Sequence, residues 1–408
     1  MKTQGSGGLV ALAVALMVAT IAIPSAQAQT FTVLHTFSIY GSDGSGPDGT
    51  LVRDDAGNLY GTTYFGGAYD GGVAFKLDKS SNETVLFNFN PNNSNGAFPG
   101  YGVIMDKEGN LYSPADAGSA NGGGVLWELS PDGNEKVLWD FGPRLKPGVP
   151  EGRLLMDASG NLYGVTALGG VKGKGTQCEY GCGVVFKLDT AGNLQVLHAF
   201  TGGKDGGTPY GALLQDAAGN LYGAAISGGD TSCPQFPILG CGTVFKLTPD
   251  NKFTVLHTFT GGKDGAGPYG GMVMDRAGNL YGSAHIGGNS NCDDGCGTLF
   301  KIGADGKFKV LYTFTNNPAA YPIGDLVMDP KGNIYGETQG LNTNSYYGTV
   351  FELNSAGKVK LLHILNGSTD GADPNGGLIR DSAGNLYGVA YQGFGKYDRN
   401  GTVFKVTP

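Results

Sequence analysis

Residues 54–60 read DDAGNLY, and the phrase D-x-x-G-N-[LI]-Y occurs seven times, with its asparagine at 58, 110, 161, 220, 279, 333 and 385. Each copy is followed by a run of the type GTVFKL, at 72–77, 124–129, 183–188, 242–247, 297–302, 348–353 and 401–406. A third run, of the type TVLHTF, begins at Thr32, Thr84, Lys136, Gln195, Thr254, Lys309 and Lys360, and a fourth, such as LVRD at 51–54, precedes each turn phrase. Short runs rich in β-branched and aromatic residues, bounded by Gly, Asn, Asp or Pro, read as strands. No sustained 3.6-residue apolar period follows residue 28. Four strands in a repeat of roughly 50–60 residues is the size of one propeller blade. The sequence therefore predicts an all-β fold, a seven-bladed β-propeller with four-stranded blades.

Turn chemistry supports this. In D-x-x-G-N the aspartate can accept from the turn's backbone amides, and glycine takes the left-handed conformation a hairpin wants. Asp54, Asp106, Asp157, Asp216, Asp275, Asp329 and Asp381 are accordingly read as scaffold, not as a ring of metal ligands. A proline lies seven residues before each, at 47, 99, 150, 209, 268, 322 and 374, where a strand begins and its missing N–H is not needed. With the strands lettered a (LVRD), b (NLYG), c (GTVFKL) and d (TVLHTF), six blades are complete in chain order and the seventh lacks d. The orphan run from Thr32 supplies it. Pairing that run with GTVFKV at 401–406 closes the ring and covers two raw edges that would otherwise invite aggregation.

Residues 1–28 read as a signal peptide: Lys2, an apolar run from Leu9 to Ile23, and Ser25-Ala26-Gln27-Ala28 as the cleavage pattern. Residues 29–408 are expected to form one propeller domain, secreted to the periplasm or the exterior, with no membrane span after cleavage. The formal net charge is −8 and no Lys/Arg-rich block occurs, which argues against nucleic acid and anionic membranes as partners. Six cysteines fall in pairs, Cys178/Cys182, Cys233/Cys241 and Cys292/Cys296, one pair in each b–c loop of blades 3, 4 and 5. Export and this distribution favour three local disulfides over a zinc site.

The compound phrase G-x-[LI]-x-x-D-x-x-G-N-L-Y-G, with G-T-V-F-K-L and T-V-L-H-T-F after it, resembles the GloVer tandem-repeat family of exported bacterial proteins over essentially the whole mature chain. More distantly, its turn is similar to that of NHL-type propeller repeats. The resemblance implies a secreted or surface propeller and no particular reaction. Members of that family often carry a C-terminal anchoring tail, whereas this sequence stops at Pro408 straight after a strand, so a free secreted or periplasmic form is expected.

Strand order places the d–a and b–c connections on one face, where they are longer and differ between repeats; such loops over a rigid scaffold are where ligand sites belong. The residues following the prolines are Asp48, Gly100, Glu151, Tyr210, Tyr269, Ile323 and Asn375, and two further on stand Thr50, Gly102, Arg153, Ala212, Gly271, Asp325 and Gly377. Arg153 and Asp325, from blades 3 and 6, break the run of small residues; they read equally as a pair across the channel, as partners of a polar ligand with Glu151, or as two solvated charges at a wide mouth. After strand b come Tyr64, Asp116, Ala167, Ile226, His285, Gln339 and Tyr391. The candidate ligand-binding set is Tyr64, Tyr210, Tyr269 and Tyr391 as aromatic platforms, with Asp48, Asp116, Glu151, Arg153, His285 and Asp325 as polar partners. His35, His198, His257 and His363 share one strand-d position filled elsewhere by Phe87, Trp139 and Tyr312, which marks it as packing. Asp-Gly pairs at 43, 205, 264 and 370 read as turns rather than a calcium site. No nucleophile elbow, phosphate loop or HExxH motif occurs, so no catalytic residue, metal or cofactor is assigned. The function expected is a monomeric binding or interaction module for an extracellular glycan or protein. Two alternatives remain: a polysaccharide lyase or glycoside hydrolase at the channel mouth, built on Asp48, Glu151, Arg153 and Asp325, or a structural protein of the envelope or matrix.

Overall fold

The structure, a computed structural model, describes residues 29–38, 42–120, 122–142, 148–172, 178–233, 239–289, 291–315, 319–339, 347–393 and 400–408. The expected signal peptide lies outside them. Among the described residues there are twenty-nine strands and no α-helix. They form seven antiparallel sheets in the order a-b-c-d, a seven-bladed propeller. Blade 1 is Ser45–Arg53, Leu59–Phe65, Val73–Leu77 and Glu83–Asn88. In blade 7, strand a is broken into Ala372–Pro374 and Ile379–Arg380, both pairing with strand b, Leu386–Gln392. Its strand d is the amino-terminal strand Thr30–Thr36, joined antiparallel to Thr402–Thr407 from Thr30↔Thr407 to Thr36↔Thr402.

Strand c is buried on both faces, which is why its sequence is a nearly continuous apolar run. Its central ring (Phe75, Trp127, Phe186, Phe245, Phe300, Phe351 or Phe404) is fully buried. In six cases it meets, edge toward face at 54–66°, the ring that ends strand d of the preceding blade, as in Phe200–Phe245 at 5.4 Å and Phe37–Phe75 at 5.1 Å. These interblade pairs are the core. Strand b must clear them: a Cβ on Gly223 would sit 2.5 Å from the Phe245 ring, so the glycine of NLYG makes room for the phenylalanine of its partner strand.

The turns behave as their residues dictate. Asp216 accepts from the Ala218 and Asn220 amides (both 2.9 Å), the Asn220 side chain (2.7 Å) and the Tyr222 hydroxyl (3.0 Å), while Gly219 takes φ +79°. Comparable bonds recur at the other six copies. The three disulfides are those expected, Cys178–Cys182, Cys233–Cys241 and Cys292–Cys296.

Around the axis, the innermost strands pack backbone against backbone. A Cβ on Gly49 would fall 1.8 Å from Gly102 N, one on Gly270 2.0 Å from Gly324 O, and one on Gly376 2.4 Å from Gly49 O. The channel is pinched at this level because six of its seven strands carry glycine there.

Candidate functional site

Just at the pinch the channel is stoppered by one side chain. Asp325, from blade 6, accepts hydrogen bonds from Gly271 N of blade 5 (2.8 Å), Thr50 Oγ1 of blade 1 (3.1 Å) and Arg153 Nε of blade 3 (3.2 Å). Thr50 also donates to the Gly376 carbonyl of blade 7. The pairing considered for Arg153 and Asp325 is thus made, with Arg153 a third exposed and Asp325 nearly buried. A carboxylate held from three other blades seals the axis and ties the ring together.

Beside the stopper lies a small cavity of about 50 Å³, lined by Asp48, Tyr101, Tyr210, Tyr269, Ile323, Asn375, the stopper itself and glycine backbone. The residues that follow the prolines share a strand register: Asp48, Glu151, Tyr210 and Ile323 each face strand b at the same step. Their side chains therefore leave the strands in the same direction, toward the mouth. Tyr210 stands between Tyr101 (6.2 Å, edge-on) and Tyr269 (5.2 Å). Tyr269 continues to His285 (5.2 Å) and His285 to Tyr321 (5.4 Å), an aromatic arc over blades 2, 4, 5 and 6.

The acids gather on blades 1 to 3. Burial pushes the Asp48 carboxyl up to about 8; the Gly49 amide and the Asn375 side chain pull it down and Asp116 pushes it further. Burial likewise raises Glu151 to about 8, with Asp116 and Asp48 adding repulsion against a hydrogen bond from Tyr101. Asp116 is raised by burial and eased by the Tyr101 and Tyr64 hydroxyls, the latter donating at 2.8 Å. Glu151 Oε2 and Asp116 Oδ1 are closed off from solvent and have no hydrogen-bond partner among the described residues. The tyrosines are pushed upward by burial and by these carboxylates, so they stay phenols that donate.

Of the candidates, Asp48, Arg153, Tyr210, Tyr269 and Asp325 line the cavity, whereas Tyr64, Asp116, Glu151, His285 and Tyr391 do not. His285 is neutral because burial lowers it, and its Nδ1–H donates to the Pro322 carbonyl at 3.2 Å; it is a wall of the arc. Tyr391 lies against the backbone at Gly46, 3.1 Å from where a Cβ would be, between blades 7 and 1. Two residues escaped the sequence reading. Tyr101 occupies the position held by Gly49, Gly152, Gly211, Gly270, Gly324 and Gly376 in the other blades. Glu337 stands on strand b of blade 6 where the others have Thr62, Pro114, Val165, Ala224, Ser283 and Val389. It is fully buried, accepts from Gly377 N at 2.9 Å through Oε2, and leaves Oε1 without a partner. Burial holds it at about 8. Both depart from the internal consensus, which is the signal that marks them.

The strand-d histidines pack as expected: His198 stacks on Phe253 at 3.8 Å, His257 on Phe308 at 3.6 Å and His363 on Phe31 at 3.7 Å. They also do something further. Each Nε2 lies 2.7–3.2 Å from the aspartate of the following loop, Asp205, Asp264 or Asp370, and His35 approaches Asp43 at 3.5 Å. The Asp-Gly segments are turns, and their aspartates pin the loop to the blade.

The chain matches the family model described as the Gloeobacter/Verrucomicrobia repeat over residues 20–178, 177–346 and 292–408. No curated protein matches it. Among solved structures it is similar to an extracellular domain assigned to a one-component system of B. thetaiotaomicron, at 12% identity and TM-score 0.53, covering 91% of this chain and 40% of that one. It is also similar to a luciferin-regenerating enzyme (15% identity, TM-score 0.46, 76% of this chain and 91% of that one). A gluconolactonase from Xanthomonas campestris aligns at 14% identity and TM-score 0.43, over 75% and 85% of the two chains. At these identities the likeness concerns the fold alone.

Proposed function

The chain belongs to the Gloeobacter/Verrucomicrobia repeat family, and we propose that it is an extracellular binding module that seats part of its ligand at the mouth of the stoppered channel. The observation that carries this is the cavity itself: a recess closed by Asp325, walled by Tyr101, Tyr210 and Tyr269 and lined by the Asp48 carboxyl, with the partnerless oxygens of Asp116 and Glu151 buried behind the tyrosines. Unsatisfied buried acceptors cost stability and call for a reason. Three disulfides on the same face support an oxidising compartment and hold the surrounding loops. Extracellular glycans and proteins are both admissible partners for such a mouth.

Hydrolysis or lysis of a polysaccharide at the mouth is the second reading. Glu151, protonated up to about 8, has the character of a general acid. Two-carboxylate chemistry, however, needs the pKa values of the pair pushed apart, and here Asp48, Asp116 and Glu151 are all displaced upward. Binding is therefore the reading adopted. Isothermal titration of the protein against glycan oligomers, lysyl peptides and calcium tests it. The Tyr210→Ala/Tyr269→Ala double variant should lose about tenfold or more in affinity for whichever class binds, as truncation of buried aromatic anchors does. Undiminished affinity in that variant would place the ligand elsewhere and remove the proposal.

A further inference from the structure

The mouth is rich in acceptors and π-faces and short of positive charge. Asp48, Asp116 and Glu151 each border the tyrosine wall, and each is close enough to the next to disfavour its ionisation. Arg153, the cation that lines the cavity, is committed to Asp325 at 3.2 Å. The donors that serve the acids, Tyr64, Tyr101, Asn375 and the Gly49 amide, leave Glu151 Oε2 and Asp116 Oδ1 unserved and out of solvent. Four tyrosine rings, Tyr64, Tyr101, Tyr210 and Tyr269, stand among these carboxylates.

We propose that the recess receives the ammonium end of an alkylamine: a compact cation with N–H or N–CH₃ groups on a carbon chain, as carried by a lysine side chain or by a free diamine. This rests on the reading of the mouth as the binding site and names its ligand class. Such a head meets Asp48 directly, lies within the field of Asp116 and Glu151, and packs its methylenes and charge on the tyrosine faces, the arrangement that aromatic cages use for ammonium ions. Size and geometry select it over the rival ligands. A cavity of about 50 Å³ has room for a few water-sized groups but not for a six-membered sugar ring. Among the described residues no three acidic, His or Cys side chains converge closely enough to hold a metal ion, and a hydrated metal gains little from tyrosine faces.

The test is isothermal titration of the protein with 1,5-diaminopentane, with Nα-acetyl-lysine methylamide, and with the neutral 1,5-pentanediol and calcium chloride as counterparts. The two amines should bind saturably at one site, more weakly as sodium chloride is raised, while the diol gives no heat. Asp48→Asn and Glu151→Gln should each cut amine affinity about tenfold or more. Because both carboxyls are held protonated up to about 8 in the free protein, their neutral amide isosteres should not lower its melting temperature, which separates lost binding from lost folding. Tighter binding of the lysine derivative identifies a protein-borne ammonium; tighter binding of the diamine identifies a free one. Diol or glycan binding that Tyr210→Ala/Tyr269→Ala abolishes would keep the mouth as a site and overturn the ammonium. Amine binding unchanged in all variants would overturn both readings. Absence of amine binding, or calcium binding that needs Asp48 and that amines do not displace, overturns this one.

Discussion

Replacing Glu337 by glutamine should make the protein's stability less sensitive to alkaline pH. Glu337 is 0% exposed, and burial lifts its carboxyl from 4.5 to about 8, with the Gly377 amide opposing and Asp325 adding repulsion. The unfolded chain ionises this group near 4.5, whereas the folded chain keeps it protonated until about 8. Between those values the unfolded state binds fewer protons, so stability falls as pH rises, by about 1.4 kcal/mol per unit for a fully separated pair of pKa values. The ceiling is about 5 kcal/mol above pH 8, and structural relaxation around a buried charge reduces it to about half. Glutamine has the same shape, keeps an oxygen for the Gly377 N–H, and does not titrate. Asp48, Glu151 and Glu83 are raised as well, but they are common to both proteins and cancel in the difference. For the 380 residues from 29 to 408, an unfolding entropy of about 2.1 cal/mol/K per residue gives about 0.8 kcal/mol/K, so about 2.5 kcal/mol corresponds to about 3 °C. Melting temperatures measured from pH 5 to pH 9 should start close together and separate by about 3 °C in favour of Glu337→Gln at the alkaline end. Parallel curves, or a variant that loses ground as pH rises, would show that Glu337 does not carry a suppressed ionisation.

His257→Phe should retain the stack on Phe308 and lose only the bond to Asp264. Because Asp264 keeps Thr260 N and Oγ1 as donors, the cost should be about 1 kcal/mol in chemical denaturation; a loss above about 3 kcal/mol would mean the pair, not the stack, holds the loop. Deleting residues 30–36 leaves strand Thr402–Thr407 as a raw edge, and the protein should elute as aggregates in size-exclusion chromatography. A monomer with an unchanged melting temperature would refute the closure of blade 7 by that strand.

The architecture was legible because the sequence states it seven times, and each statement binds local chemistry to position. Asp216 and Gly219 must form that turn wherever the chain puts them, so the hairpins, the strands beside them and the orphan strand at the front follow from near neighbours alone. The mouth was legible to the extent that a residue departs from the repeats, which picked out Asp48, Glu151, Arg153, Tyr210, Tyr269 and Asp325. Tyr101 shows only at the second residue after each proline, where it alone replaces a glycine. Glu337 hid in a strand, where alternation is read as core and a single carboxyl looks like an outward position. The aspartate partners of the histidines do not show at the ring position itself, because they stand in the loop that follows. Asp43, Asp205, Asp264 and Asp370 follow a histidine by seven or eight residues, whereas Phe87, Trp139 and Tyr312 have no aspartate at that distance. What no local comparison conveys is reach across the axis: that Thr50, Arg153 and Gly271 meet on one Asp325 carboxylate depends on the diameter of the ring.

The same geometry bears on the choice between a binding module and a purely structural propeller. A ring of like blades is most stable when like residues surround its axis, since every departure must find its own partners. Here the departures gather at the mouth: carboxylates on blades 1 to 3, tyrosines on blades 1, 2, 4 and 5, and a stopper from blade 6 directly beside them. Several are unfavourable in the free protein, since Asp48 and Glu151 are held protonated to about 8 and two carboxylate oxygens have no donor. The distal turns carry no comparable strain; there the aspartates are fully served and their pKa values are depressed. Upward-shifted acids with an unserved oxygen also stand singly elsewhere, at Glu83, Glu135 and Glu337; what sets the mouth apart is that three upward-shifted carboxyls gather there beside tyrosine rings, the arrangement that suits a complementary cation. A structural role would leave the mouth as regular as the turns.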